Sequence, residues 1–238
     1  MSESDTETPS KGPAVVLVSG GLDSSVLLRH AVRNLSRRPV HALSFNYGQR
    51  HSKELECARK QAEGIAAAVH RVIDISFMGG LLMAGSALVQ GGAPVPDLKD
   101  LAKNDLTQPP TYVPNRNMML LSIAAAYAEA QGVQDIFYGA QAQDEYGYWD
   151  CTEAFLDRIN HVLALNRRER VTIHAPFVHM KKSEIVRLGL ALGVDFALTW
   201  SCYRGGEKAC GTCPTCVERL SAFRQAGASD PLPYQARV

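Results

Sequence analysis

No stretch of this chain approaches the roughly 20 consecutive apolar residues that a membrane-spanning helix needs, and no membrane partner is expected. An excess of charge of one sign is missing too: 25 Lys and Arg stand against 24 Asp and Glu, for a net +1. That balance leaves no overall electrostatic footprint for nucleic acid. The opening MSESDTETPSKG lacks the apolar core of an export signal. Residues 1–12 therefore read as a disordered leader on a cytoplasmic protein. Before residue 200 the only cysteines are Cys57 and Cys151, and internal repeats are lacking. What the sequence does have is hydrophobic residues at 46% over 238 positions, enough for one large core or for a core and a small appendage.

Short apolar runs alternate with helical patterns. Strands are expected at 14–18, 40–46, 69–74, 136–138 and 171–174. Helices are expected at 24–35, 52–68, 117–131, 152–165 and 183–192, with a C-terminal helix at 217–225. Strands separated by helices imply parallel β-α-β units with right-handed crossovers. The fold class is therefore α/β, a doubly wound, mostly parallel sheet, spanning 13–198. Residues 75–111 break the alternation with GG, GG, PVP and PP, and a stretch so long reads as a lid or substrate loop with a short helix at 98–102. Residues 199–238 form a separate cysteine-rich tail.

The first strand runs into SGGLDSS at 19–25. Unpaired N–H groups at a helix N-terminus carry positive partial charge and attract phosphate. Gly20 and Gly21 let the backbone come close to an anion. Ser19, Ser24 and Ser25 add hydroxyl donors, and Asp23 is placed either to cap the helix or to hold a divalent ion beside phosphates. A plain β-α turn with an Asp/Ser cap is the competing reading. The loop has no lysine, so it is neither the Lys-bearing phosphate loop nor the dinucleotide glycine fingerprint.

In the tail, SCYRGGEKACGTCPTC sets Cys210, Cys213 and Cys216 two residues apart, with Cys202 upstream. Four thiolates make a closed tetrahedral zinc site; the spacing also fits some iron–sulfur ligand runs. Unpaired thiols or a redox pair are the alternatives, and a structural metal that pins the C-terminal helix is the favoured reading. Cys57 reads as core. Cys151, beside Asp150, is open between a buried small residue and a thiol facing substrate.

SGG-x-DS resembles the loop of the ATP pyrophosphatase superfamily, which cleaves ATP to AMP and pyrophosphate while adenylating a carboxylate or carbonyl oxygen. SFNYGQRH (44–51), TYVPNRN (111–117), DEYGYWDC (144–151) and TWSCYRGGEKACGTCPTC (199–216) narrow the resemblance to the 7-cyano-7-deazaguanine synthase family of the queuosine pathway, from about residue 14 to about 231. The resemblance implies a sheet of the adenine nucleotide alpha hydrolase-like type with a small zinc-binding helical C-terminal segment. It implies ATP held by Val18, Ser19, Gly20, Gly21, Leu22, Asp23, Ser24, Ser25, Ser44 and Phe45, with Mg2+ accompanying the ATP. It implies one structural Zn2+ on Cys202, Cys210, Cys213 and Cys216.

Ser19, Asp23, Arg116 and Lys182 are the candidate catalytic residues, and Arg116, Asp144, Glu145, Tyr148 and Asp150 the candidate substrate contacts. Arg116 opens a helix, where a cation works against the macrodipole; that favours a grip on a carboxylate or phosphate. A flat heterocycle needs stacking faces and acceptors, which Tyr148 or Trp149 and the three acids of DEYGYWDC supply. Gln49, Arg50 and His51 stand where phosphate or a leaving group would lie, or simply form a polar helix entry. Lys181 and Lys182 read either as phosphate neutralisers or as a solvated helix start.

The sequence departs from the commonest family form at Trp149, where Pro is usual, and at Thr152, where Arg is usual. The implied reaction turns 7-carboxy-7-deazaguanine, ammonia and ATP into 7-cyano-7-deazaguanine. No Ser–His–Asp or Cys–His set suggests covalent catalysis, and the length leaves no room for a glutaminase domain, so free ammonia is the expected nitrogen source. The partners expected are these small molecules; a homodimer is compatible. The rival readings are a paralogue that stops at the amide or joins the carboxylate to another amine, and a tRNA-binding zinc module.

Overall fold

The computed structural model describes residues 10–49, 53–66, 68–82, 86–89, 92, 94–100, 110–141 and 148–235. Five strands, β1 (Ala14–Leu17), β2 (Val40–Asn46), β3 (Ala68–Asp74), β4 (Asp135–Phe137) and β5 (Thr172–His174), form one sheet in the order β3-β2-β1-β4-β5. Every pairing is parallel. The register runs Ala14↔Val40 to Leu17↔Leu43 on one side of β1 and Val15↔Ile136 on the other. The chain moves outward from β1 through β2 to β3, then crosses back to place β4 on the opposite side. The loops after β1 and β4 therefore diverge, and an open α/β sheet binds ligands at such a switch point.

The helices are α1 (Leu22–Arg33), α2 (Lys53–Glu63), the single turn α3 (Gly79–Leu82), α4 (Arg116–Gln131), α5 (Glu153–Leu163), α6 (Lys182–Ala191) and α7 (Pro214–Gln225). Alternation along β1 sends Ala14 and Val16 to one face and Val15 to the other. The first face is covered by α1, α2, α6 and α7 through Val26, Leu27, Ala58, Ile185 and Phe223. The second is covered by α4 and α5 through Leu121, Ala124, Ala128 and Phe155. A strand covered on both faces reads as continuous apolar sequence, which is why AVVL carries no polar alternation. Phe223 stacks edge-on to Phe196 at 5.1 Å between centroids, so α7 of the cysteine-rich tail shares the main core.

The helix expected over 52–68 stops at Glu63. Gly64 follows, Ile65 turns into the core, and the Ala68 N–H closes onto the Ile65 carbonyl, so β3 starts one residue earlier than expected. α7 begins at Pro214 and not at 217, because Pro at the first helical position needs no N–H partner. The short helix expected at 98–102 is a single 3-10 turn, Leu98–Asp100. Part of the 75–111 stretch lies outside the described residues. Leu88 and Val89 of its described parts pack with Val113 just beyond it in a small cluster.

Candidate active site

One cleft opens at the carboxyl ends of β1, β2 and β4. Its walls include Val18, Ser19, Gly21, Leu22, Asp23 and Ser24 from the first loop, Phe45, Tyr47 and Glu54 from the β2-α2 side, and Tyr138 to Gln141 after β4. α4 contributes Arg116 and Asn117, α6 contributes Lys182, and the tail contributes Trp200, Tyr203 and Glu218.

The first loop is tightly self-bonded. The Ser24 hydroxyl accepts from the Ser19 N–H at 3.2 Å and donates to the Gly21 carbonyl at 3.2 Å. The Ser19 hydroxyl lies 3.0 Å from it and accepts from the Gly21 N–H at 3.2 Å. Gly20 sits at φ +84°, a conformation that favours glycine, and its carbonyl accepts from the Trp200 N–H at 2.9 Å. Gly20 faces α2 and Ser25 bonds the Gly21 carbonyl at 2.8 Å; neither lines the cleft, so both shape the loop from behind.

Asp23 and Lys182 are brought together. The Lys182 ammonium lies 2.6 Å from Glu218 and 3.6 Å from Asp23. Burial pushes the Asp23 carboxyl above its ordinary range against the pull of Lys182. Its Oδ1 is buried with no hydrogen-bond partner among the described residues. The Tyr138 hydroxyl and Gln141 Oε1 are likewise buried without partners among the described residues. All three belong to residues that line this cleft. Buried polar atoms in native folds are nearly always satisfied, so three orphaned atoms in residues around one cleft mark it as a candidate ligand site.

Arg116 stands over Tyr47, its guanidinium carbon 5.8 Å from the ring centroid, and its only side-chain hydrogen bond among the described residues is a long 3.5 Å one to the Tyr47 hydroxyl. Its fork therefore retains donors for an anion. Asn115, at the N-cap position of α4, is left-handed and bonds no backbone N–H through its side chain. Asp150 supplies that service from across the chain, accepting from the Asn117 N–H at 3.3 Å. It is 3% exposed and does not line the cleft.

Tyr148 hydrogen-bonds Thr111 at 2.6 Å, also away from the lining. Ser44 is buried, donates to the Val18 carbonyl at 2.5 Å and lies 2.8 Å from His70 Nε2; it braces β2 against the first loop and does not face the cleft. Cys151 lines the cleft and lies 3.3 Å from Asn117 Nδ2. Asp144, Glu145, Arg50 and His51 lie outside the described residues.

Sequence reasoning missed Glu54, Tyr138, Gln141 and Glu218. Position alone marked Tyr138 and Gln141, which follow β4 directly at the switch point. Nothing in the sequence marked Glu54, one of several charged residues on its helix, or Glu218, beyond the cysteines.

The four tail cysteines form a second centre. Their sulfurs all lie within 4.8 Å of one another, all four residues are buried, and none is in a disulfide. A tetrahedral zinc with Zn–S near 2.3 Å sets sulfurs about 3.8 Å apart, and Cys210 and Cys216 stand 3.9 Å apart. The Cys210 N–H donates to Cys202 Sγ at 3.4 Å and the Cys213 N–H to Cys210 Sγ at 3.3 Å. Cys213 is the N-cap of α7, where the helix dipole favours thiolate. The set fits a tetrahedral metal.

Residues 13–227 match the family model described as "Queuosine biosynthesis protein QueC". The chain belongs to this family. Among its relatives is the 7-cyano-7-deazaguanine synthase of Caldicellulosiruptor saccharolyticus, 45% identical over 225 residues, covering 94% of this chain and 96% of the relative. The enzyme of the same name from Hahella chejuensis is 46% identical over 237 residues, covering 99% and 98%. The family matches the one that the motifs resembled, and the fold is the expected one. A 4-thiouridine synthetase solved with RNA and bound ATP is 17% identical with a TM-score of 0.54; the alignment covers 92% of this chain and 52% of that one. At that distance the likeness concerns the fold alone. No helix among the described residues is long and apolar enough to cross a membrane.

Proposed function

We propose that the chain converts 7-carboxy-7-deazaguanine, ammonia and ATP to 7-cyano-7-deazaguanine. The observation that carries this reading is the convergence, in a chain of this family, of the 19–25 loop, Lys182 and Arg116 on one cleft. ATP enters with its phosphates along the loop N–H groups and the Ser19 and Ser24 hydroxyls, its adenine toward Phe45. The orphaned Asp23 Oδ1 suits a Mg2+ ion accompanying ATP, which would neutralise the departing pyrophosphate. Lys182 adds a fixed cation on the same side. Arg116 grips the substrate carboxylate and holds it toward the α-phosphate. Tyr138 and Gln141 offer polar contacts to the purine-like ring.

Adenylation turns a poor leaving oxygen into part of AMP. Ammonia displaces AMP to give the amide. A second ATP adenylates the amide oxygen, and loss of AMP gives the nitrile. One loop serves both activations because both transfer the same adenylyl group. Positioning and charge stabilisation are what the side chains supply. Zn2+ on the four cysteines has a full ligand set and holds the tail that carries Trp200, Tyr203 and Glu218 to the cleft.

Trp149 and Thr152 bear on the amide-forming alternative. Trp149 donates to the Tyr112 hydroxyl at 2.9 Å, and Thr152 caps α5 by accepting from the Phe155 N–H at 3.2 Å. Neither lines the cleft, so these departures have local structural roles, which supports the nitrile reading. Mass spectrometry of products from protein incubated with ATP, magnesium, ammonium and 7-carboxy-7-deazaguanine tests it. Nitrile with AMP is expected; amide alone after long incubation, or no AMP, overturns it.

A further inference from the structure

Among the described residues three carboxylates line the cleft: Asp23, Glu218 and Glu54. The first two share the Lys182 ammonium, on the side of the cleft assigned above to Mg2+ and the phosphates. Glu54 differs. It lies on the first turn of α2, and its side chain has no hydrogen bond or ion pair among the described residues. Its backbone packs directly on the loop, because a Cβ on Gly20 would fall 2.0 Å from the Glu54 carbonyl oxygen. That contact anchors the first turn of α2 to the phosphate loop, and Glu54 lines the same cleft as Tyr47 and Arg116. Lys53, its neighbour on α2, is committed elsewhere, donating to the Gly206 and Glu207 carbonyls at 2.9 and 2.8 Å.

We propose that Glu54 is the proton acceptor of the carbon–nitrogen chemistry in this cleft. The inference rests on the proposed function. In the amidation, the ammonia lone pair forms the C–N bond, the C–O bond to AMP breaks with its electron pair on AMP, and nitrogen sheds one proton to the carboxylate. In the dehydration, the amide oxygen bonds the α-phosphorus of ATP as pyrophosphate leaves. The resulting C(=NH2+)–O–AMP group then loses two protons as the C–O bond breaks toward AMP and the C≡N bond forms. The carboxylate takes each proton in turn and returns it to the solvent of the open cleft.

The electrostatics suit the role. Burial pushes the Glu54 carboxyl up to about 7, with the Arg116 guanidinium of α4 pulling the other way. Tyr47, on the turn after β2, feels the Glu54 charge, and Cys57, one turn along α2, feels it too. An acceptor poised near the working pH is the most effective one.

The test is amide dehydration, started from the amide and ATP so that the titration of ammonia does not enter. In wild type, kcat rises with pH up to about 7 and then levels, because the carboxylate form accepts the proton. In Glu54→Gln this limb disappears and kcat falls roughly 10²- to 10⁴-fold, the usual weight of general base catalysis. Substrate-dependent exchange of pyrophosphate into ATP, which needs adenylation alone, continues within a few-fold. Glu54→Asp recovers part of the rate together with a pH limb. An unchanged limb and kcat in Glu54→Gln would overturn the inference, and so would equal loss of exchange and dehydration, which would make Glu54 a nucleotide-positioning residue. If wild type itself makes no nitrile, the functional reading fails first, and the two failures are distinguishable.

Discussion

The carbonyl oxygen of Glu54 occupies the space into which a side chain on Gly20 would grow, 2.0 Å from an ideal Cβ. The first loop and α2 are thus packed backbone to backbone, and the loop holds its shape only while residue 20 has no side chain. Gly20→Ala is therefore expected to cost about 1–3 kcal/mol from the left-handed backbone and the displaced helix. Thermal unfolding reads the stability loss, and the KM for ATP should rise with it. A variant that kept wild-type Tm and KM would show that the loop tolerates movement away from α2.

Asp23→Ala removes the carboxylate whose Oδ1 has no hydrogen-bond partner among the described residues. Pyrophosphate release is expected to fall at least about 10²-fold, the scale for loss of a charge-stabilising group. Zinc content should be unchanged, since the cysteine site is separate. Retained pyrophosphate release would refute the phosphate-loop assignment.

Arg219 and Asp230 form a buried pair, each side chain 1% exposed, with bonds of 2.8 and 3.0 Å. Arg219 also donates to Thr199 at 2.7 Å and the Phe196 carbonyl at 3.1 Å, and Asp230 accepts from Tyr234 at 2.6 Å. Arg219→Met leaves an uncompensated buried carboxylate and is expected to cost about 3–5 kcal/mol. Denaturant unfolding measures this. The double variant Arg219→Met with Asp230→Asn should recover part of the loss, because the stranded charge is gone.

Chelation of the cysteine site should lower Tm and loosen the tail. Elemental analysis is expected to give one zinc per chain, and Cys213→Ser to reduce it. Activity should fall only as the tail loosens, since four protein ligands leave no open position for chemistry. An iron–sulfur absorption spectrum in anaerobically purified protein would replace zinc in this account.

The raised Glu54 carboxyl has a stability consequence independent of catalysis. Its ordinary value is 4.5 and its folded value about 7. Between these the unfolded chain is ionised and the folded chain still binds a proton, so stability falls as pH rises through this window. Glu54→Gln should match wild type near pH 4 to 5 and exceed it near pH 8, by about 1–3 kcal/mol. Parallel unfolding curves at both pH values check the sign.

The family and the first loop were legible along the chain because their motifs are local. SGGLDSS bends between a strand and a helix on its own glycines and serines, and the rhythm of Cys210, Cys213 and Cys216 marks three sulfurs that the fold gathers with Cys202. Apolar runs bounded by turns gave the strands of a parallel sheet. Tertiary structure decided what depends on distant elements meeting. Asp150 caps α4 because the turn at Trp149–Cys151 lies against the start of that helix, whereas the DEYGYWDC stretch read in isolation casts it as a substrate contact. Ser44 faces into the sheet toward His70, and only the strand register says so. Glu54, on a helix rich in Lys, Arg and Glu, looks like solvated surface until Gly20 draws it against the loop and burial sets its charge. The strand order, with β4 returning beside β1, is likewise a long-range packing outcome, and it is what opens the cleft.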